Sequence, residues 1–304
     1  MLFACARWSA HAMVGAVAFV IVWLTPPRLA YAVTWRILMI AYPVFALPYG
    51  LVCPPNRRRD WRALVLQRAL SVMTRQRPGF DLRLRVEGGE ALLAARRETG
   101  RVVLATAHFG MTLASARVMA DLGVPMAMIA DRAGGWDGWH WSLTSRINVL
   151  QEGPGVLLRA RPLIAGGTAV VCYADYILAG RGRGARVMGL SPSLFHLARH
   201  LGAAVLFLGA RLERDGTIVI TFHRPAVALI ASDAELEACT TAFTAFVEGY
   251  TGWTCVVRKP PPRRRRRDGA APTVDMPRFA VRLGRIEDVG EETDDTARPG
   301  RFAA

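Results

Sequence analysis

The sequence predicts an α/β fold in which helices flank a mostly parallel central sheet, preceded by a hydrophobic N-terminal helical anchor. Between residues 60 and 251, short apolar segments alternate with helical patterns, as expected where crossover helices connect parallel strands. The mean hydropathy of the 304-residue chain is +0.22, which is high for a protein without a membrane segment. We therefore divide the chain into a membrane anchor (1–56), an α/β domain (57–259) and a disordered tail (260–304).

Two apolar segments define the predicted anchor. Residues 9–25 are apolar apart from one histidine and small hydroxyl side chains, and about 17 residues is the lower limit for spanning a bilayer. Residues 29–52 are interrupted by Arg36 and by prolines, which favours an interfacial or re-entrant position. The arginines at 57–59 predict that the following domain is cytoplasmic. A cleaved signal peptide ending at the A-x-A sequence of residues 30–32 is the alternative.

The α/β domain and the tail follow in chain order. Strands are predicted at 81–88, 101–107, 125–131, 168–175, 203–212 and 217–225. Helices are predicted at 60–78, 90–100, 110–123, 137–150, 191–202 and 232–251. Ser191 is the expected N-cap of the fifth of these helices, with Pro192 at its first position. The tail is rich in proline, arginine and acids and has few large apolar side chains, which predicts disorder.

The chain is strongly basic, with a formal net charge of +15. Lys259 is its only lysine, so arginine supplies almost all of the positive charge. A GC-rich genome explains arginine in place of lysine, but it does not explain the excess of cations over acids. Such an excess suits anionic lipid headgroups, nucleic acid or an acidic protein partner. No nucleic-acid partner is predicted, because no DNA- or RNA-binding signature accompanies the arginine cluster at residues 263–267.

The cysteines and histidines do not predict a metal centre. The five cysteines are odd in number and no two have CxxC spacing, so neither a disulfide framework nor a zinc site is indicated. A reducing compartment fits this pattern. His196 and His200 are four residues apart on a predicted helix, but no acid lies between them as in HExxH, and no third ligand is evident.

Three polar residues stand at the carboxyl ends of predicted strands, where ligands bind in open α/β sheets. They are His108, Asp131 and Asp175. A histidine in this position can act as a general base near neutral pH. The alternative is a core histidine whose ring is hydrogen-bonded by backbone groups, and position alone does not separate the two interpretations.

Four further segments occur in a characteristic order. After the hydrophobic N-terminus come HFG at 108–110, AGGTAVVCYADY at 165–176, a helix-strand-turn-strand pattern at 186–225, and FVEGYTGWTCVVRK at 246–259. In this order they resemble the late acyltransferases of lipid A biosynthesis, the lauroyl/myristoyl acyltransferase family. The resemblance covers roughly residues 10–259.

The resemblance implies a glycerolipid acyltransferase-like fold at the bacterial inner membrane, with the catalytic domain on the cytoplasmic side. It implies transfer of a fatty acyl group from acyl carrier protein or coenzyme A to a lipid hydroxyl or amine, with no cofactor beyond the acyl thioester. His108 would take the acceptor proton, beside Phe109 and Gly110. Arg132 and Arg186 would bind phosphate or carrier-protein groups.

The sequence departs from the family at one position. The family has an acid five residues after the histidine, whereas this chain has Leu113. Spoiling the orienting acid of a serine protease lowers the rate by ~10⁴. Thr112, Asp131 or Asp175 could orient His108 instead. The reaction could alternatively be less demanding, or the protein could be a degenerate homologue that binds lipid or acyl carrier protein without turnover.

Overall fold

The computed structural model describes residues 2–52, 61–77, 81–107, 109, 111–130, 148–153, 155–178, 186–251, 255–257 and 279–283. Its helices are α1 (Leu2–Leu24), α2 (Pro27–Val52), α3 (Trp61–Gln76), α4 (Gly89–Thr99), α5 (Ser115–Asp121), α6 (Val156–Ala165), α7 (Ser193–Leu201) and α8 (Asp233–Thr251). Its strands are β1 (Leu84–Glu87), β2 (Val102–Thr106), β3 (Met126–Ala130), β4 (Asn148–Gln151), β5 (Ala169–Tyr173), β6 (Asp175–Leu178), β7 (Arg186–Leu190), β8 (Ala204–Leu212), β9 (Ile218–His223), β10 (Cys255–Val257) and β11 (Phe279–Leu283). A 3₁₀ turn (Thr112–Ala114) precedes α5.

A seven-stranded sheet in the order β1-β9-β8-β2-β5-β3-β4 forms the centre of the fold. Strands β2, β3, β4, β5 and β8 run in one direction, and β1 and β9 run in the other. The predicted α/β fold with a mostly parallel sheet is therefore confirmed. Strands β10, β11, β7 and β6 form a smaller antiparallel sheet.

Helices cover both faces of the large sheet, so its central strands are apolar on both sides. On β2, Val102 and Leu104 belong to one core with α1 to α5, whereas Val103 and Ala105 belong to a second core with α6 to α8. This double burial explains why residues 101–107 are almost uninterrupted in their apolar character. It also leaves the carboxyl ends of the five parallel strands at a common edge.

Several details differ from the sequence prediction. Residues 137–150 were expected to form a helix, but Asn148–Gln151 is strand β4, and the rest of that segment lies outside the described residues. Helix α7 begins at Ser193, so Pro192 occupies the N-cap position that was predicted for Ser191. Within the predicted tail, residues 279–283 form β11.

The two apolar N-terminal segments form α1 and α2, which pack against each other and against α3. Buried side chains of all three helices join the first core. The membrane-spanning anchor helix predicted for the N-terminus is not found: among the described residues, none of the helices has both the length and the apolar character required to cross a membrane.

The turn between β8 and β9 holds α2 against the sheet. The Tyr31 hydroxyl donates to the Gly216 carbonyl at 2.5 Å, although the two residues are 185 positions apart. The indole of Trp35 lies directly over Gly216, where a Cβ atom would come within 2.7 Å of three of its ring atoms. Gly216 also has a φ of +88°, which favours glycine. The N-terminal helices are thus fixed to the edge of the sheet at which β2 and β8 end.

Candidate functional site at the carboxyl edge of the sheet

Three chain segments meet where β2 ends. The Ala174 N–H donates to the Thr106 carbonyl at 2.8 Å, and the Ser191 N–H donates to the Ala174 carbonyl at 2.8 Å. The end of β2, the junction of β5 with β6 and the start of the α7 segment are therefore joined by backbone hydrogen bonds. Asp175 begins β6 immediately after this junction. The backbones of the second and fourth predicted strands thus end side by side.

The residues on either side of position 108 are directly hydrogen-bonded. The Phe109 N–H donates to the Ala107 carbonyl at 2.6 Å, and Ala107 is buried. The Phe109 carbonyl accepts from the Thr112 N–H at 3.2 Å and from the Thr112 hydroxyl at 2.9 Å. Four of the predicted site residues, His108, Gly110, Asp131 and Arg132, lie outside the described residues. The backbones of Asp175 and Arg186 are described in β6 and β7, but their side chains are not.

Thr112 and Leu113 both lie in the interior. Thr112 is 1% exposed, and its hydroxyl hydrogen is used by the Phe109 carbonyl. Its oxygen retains lone pairs that can accept a ring N–H. Leu113 is 5% exposed and belongs to the first apolar core, because the 3₁₀ turn packs on β8 and β9. The position where the resembling family has its acid is therefore occupied by a core side chain.

An aromatic cluster extends from Phe109 into α8. The rings of Phe109 and Tyr250 have centroids 5.0 Å apart, and those of Phe246 and Tyr250 are 4.9 Å apart. Phe207 of β8 and His223 of β9 both contact Phe246, with centroid distances of 5.5 and 5.6 Å. Edge-to-face and offset contacts of this kind are favourable beyond the area that they bury. The cluster fixes Phe109, which was predicted to bind substrate, between the end of β2 and α8.

A charged group beside this cluster was not found by sequence reasoning. The Arg211 guanidinium donates to both carboxylate oxygens of Glu87, at 2.7 and 3.1 Å, and the Thr221 hydroxyl donates to the same carboxylate at 3.0 Å. Arg85 donates to the Glu213 carboxylate at 3.0 Å, and Arg211 lies 3.8 Å from the same carboxylate, so positive and negative side chains alternate in this group. These side chains come from β1, β8, β9 and, for Glu213, the turn between β8 and β9. The only signal for them in the sequence is the alternation of charged with apolar residues within each strand.

Burial and hydrogen bonds shift the pKa values of this group. The hydrogen bonds from Arg211 hold the pKa of Glu87 below its usual value, so this carboxylate stays ionised. Burial raises the pKa of the Tyr250 phenol. The Tyr250 hydroxyl is enclosed without a hydrogen-bond partner of good geometry among the described residues, although Thr221 and Arg211 are its polar neighbours. The neutral phenol therefore faces the ion pair.

No group of three or more side chains that could hold a metal ion occurs in the part of the chain that the structure describes. Burial, and secondarily the neighbouring His200, lower the pKa of His196 on α7. Cys239 is buried in α8, and burial raises the pKa of its thiol to about 12. It therefore stays a thiol at neutral pH and is not a nucleophile.

Comparison with known proteins gives no assignment. No family model matches this chain, and no curated protein matches it significantly. The site therefore has to be interpreted from its own geometry and chemistry.

Proposed function

We propose that this protein is a membrane-associated acyltransferase that moves a fatty acyl group from an acyl thioester to a lipid hydroxyl or amine. The observation that carries the proposal is the junction of β2, β5 and the α7 segment through Thr106, Ala174 and Ser191. It brings the segment that contains His108 and the start of β6 to one edge of a parallel sheet, where ligands of such folds bind.

The proposed reaction needs a general base for the acceptor and hydrogen-bond donors for the oxyanion. His108 removes the proton of the acceptor hydroxyl, and the oxygen attacks the thioester carbonyl. Backbone N–H groups at the strand ends stabilise the tetrahedral oxyanion. The C–S bond then breaks, and the thiolate leaves with the proton that His108 holds. General-base catalysis of this kind contributes about 10²–10⁴ in rate.

Asp175 is our preferred group for orienting the His108 ring. The β2–β5 register pairs Thr106 with Tyr173, and Asp175 follows Tyr173 by the same two residues by which His108 follows Thr106. An aspartate at that point offers a charged acceptor, as the family's acid does. Thr112 is the weaker candidate, because its hydroxyl already donates to the Phe109 carbonyl and carries no charge.

Membrane association is supported by the surface of α1 and α2. Of the eleven large apolar side chains that are exposed in the described residues, eight lie on these two helices. They are Met13, Phe19, Val20, Trp23, Leu24, Leu29, Ile37 and Ile40. Apolar surface concentrated in this way marks a membrane or protein contact. We place the protein on the cytoplasmic face of a bacterial inner membrane, with a lipid acceptor and an acyl carrier protein or coenzyme A donor.

On the basis of the sequence resemblance described above, we propose lipid A biosynthesis as the pathway in which this acyl transfer takes place. Its late acylation steps use a membrane lipid as acceptor and an acyl thioester as donor. Arg132 and Arg186 are proposed to bind the phosphate or acidic groups of these substrates. No cofactor takes part in the proposed step.

A direct assay tests the proposal. Purified protein in mixed micelles is incubated with an acyl thioester of acyl carrier protein or of coenzyme A and with a lipid extract from bacterial membranes. Transfer of a labelled acyl chain to a lipid is the expected result. If no lipid gains label while free thiol is still released, the protein is a thioesterase and the proposal is wrong.

A degenerate acyltransferase that binds without turnover is the second candidate. The burial of Leu113 in the first core favours it, because the usual acid is replaced by a side chain that cannot accept a hydrogen bond.

Leu113→Glu separates the two candidates, with Leu113→Gln as an uncharged control of similar shape. If another residue orients His108, we expect no gain in acyl transfer from either variant. If the scaffold lacks only its orienting acid, the glutamate variant should exceed the glutamine variant by at least about tenfold. Initial rates of labelled acyl transfer make the comparison, with circular dichroism as the measure of folding.

A further inference from the structure

A cavity of about 270 Å³ lies between α2 and the turn that connects β8 with β9. Three arginines line it: Arg28 and Arg36 from α2, and Arg83 from the segment before β1. Two aspartates, Asp81 and Asp215, also reach it. With three cations and two anions, 3 − 2 gives the lining a formal charge of +1.

One of the two aspartates is already used within the turn. The Asp215 carboxylate accepts the Thr217 N–H at 2.9 Å and the Thr217 hydroxyl at 2.8 Å. These hydrogen bonds hold its pKa below the ordinary value. Arg83 lies 3.6 Å from the same carboxylate, and both side chains are 60% exposed, so the ion pair is loose.

The two arginines of α2 are the available cations. Among the described residues, neither Arg28 nor Arg36 forms an ion pair. They are eight residues, or about two helical turns, apart on one side of the helix, so their side chains reach the cavity at two levels separated by the turn of Ala32. Trp35 and Tyr31 are buried and fixed against Gly216, and they give the cavity a rigid aromatic wall.

The exposed surface of α2 has two sectors. Arg28, Ala32 and Arg36 follow one another at intervals of four residues and face the cavity. Leu29 and Ile37 lie in the neighbouring row, and Ile40 continues the first row one turn beyond Arg36; Leu29 and Ile40 are 53% and 79% exposed. A guanidinium row beside an exposed apolar row matches the boundary between the phosphates and the acyl chains of a bilayer.

We propose that this cavity binds the phosphate of an anionic phospholipid headgroup, held by Arg28, Arg36 and Arg83. The planar guanidinium groups suit phosphate oxygens through paired N–H···O bonds. The adjacent apolar row would enter the acyl-chain boundary, which favours a lipid over free phosphate as the source. Since the turn at Gly216 lies at the edge where β2 ends, a bound headgroup turns that edge towards the membrane. The inference does not depend on acyl transfer.

Vesicle sedimentation tests the site. Full-length protein is mixed with vesicles of phosphatidylcholine alone, or of equal parts phosphatidylcholine and phosphatidylglycerol. We expect preference for the anionic vesicles. Arg28→Gln with Arg36→Gln should weaken that binding about 25-fold, or about fivefold for each arginine, and leave binding to phosphatidylcholine unchanged.

The matched control is Arg97→Gln, which removes an exposed arginine from the last turn of α4, near the opposite edge of the sheet. It should change anionic binding less than twofold. A loss of about fivefold in this variant, equal to the loss for each arginine of α2, would mean that diffuse charge drives binding, and the site would be rejected. Titration of lipid-free protein with inorganic phosphate separates the sources. Arginine-dependent phosphate binding without a preference for anionic vesicles would overturn the lipid assignment.

Discussion

His108→Ala is expected to lower the rate of acyl transfer by about 10²–10⁴, because the acceptor hydroxyl then loses its general base. The effect should appear in kcat rather than in KM if His108 acts only on the proton that moves in the transition state. Initial rates with a labelled acyl thioester and a lipid acceptor provide the measurement. The same loss should be visible in the lipid profile of cells that carry the variant.

His200→Ala is the matched control. The segment that begins α7 lies at the candidate site, where the Ser191 N–H donates to the Ala174 carbonyl, whereas His200 is exposed in the last turn of the helix. Its substitution should leave the rate within about twofold of the parent protein. Asp175→Asn should resemble the alanine variant at position 108 if this carboxylate orients the ring, with a loss of up to ~10⁴. Full activity in the His108 variant would remove the base from the mechanism and contradict acyl transfer as proposed.

The central strands could be predicted from sequence because they are buried on both faces. Strand β2 is an unbroken apolar run and β8 is apolar as far as Ala210, and their predicted limits agree with the structure to within two residues. Strand β4 is different. It is one of the two edge strands of the large sheet, its terminal residues Asn148 and Gln151 are exposed, and only two half-buried residues remain to signal it. The sequence of β4 therefore fell within the helix that was predicted at residues 137–150.

Helix α6 was not predicted from the sequence, because it contains a proline. Pro162 lies inside it, and proline removes a backbone donor that a helix interior needs. The carbonyl that loses this partner belongs to Leu158, which is 74% exposed, so water can replace the missing hydrogen bond. In contrast, Ser232 and Glu235 form a capping box at the start of α8, in which the backbone N–H of each residue donates to the side-chain oxygen of the other. That helix was predicted correctly.

The ion pair of Glu87 and Arg211 beside the candidate site could not be predicted from one sequence, because its two residues are far apart in the chain. Glu87 meets Arg211 across 124 residues and Thr221 across 134 residues. Their contact depends on the register of β1 with β9 and of β9 with β8, which places Glu87, Thr221 and Gly209 in one row across the sheet. Local patterns fix the alternation within each strand but not which strands are neighbours.

Gly216→Ala is expected to destabilise the protein by about 2–6 kcal/mol and to loosen α2 from the sheet. A side chain at a φ of +88° is strained by roughly 1–3 kcal/mol. The new Cβ would also lie within 2.7 Å of three atoms of the Trp35 ring, so the indole must move, at a further cost of about 1–3 kcal/mol. Denaturant unfolding gives the loss in stability, and hydrogen exchange of α2 amides gives its location.

A second glycine isolates the contribution of Trp35. Gly100 has a φ of +67° at the end of α4, and a Cβ placed there meets no atom within 4 Å. Gly100→Ala therefore carries the backbone strain alone and should destabilise by only about 1 kcal/mol. Trp35→Ala combined with Gly216→Ala should lose less stability than the sum of the two single variants, because the clash is absent when both are present. If the two glycine variants lose equal stability and the losses of the Trp35 and Gly216 variants are fully additive, the indole does not hold α2 at this turn. The first core and the Tyr31 hydrogen bond would then be the contacts that hold α1 and α2 at the edge at which β2 ends.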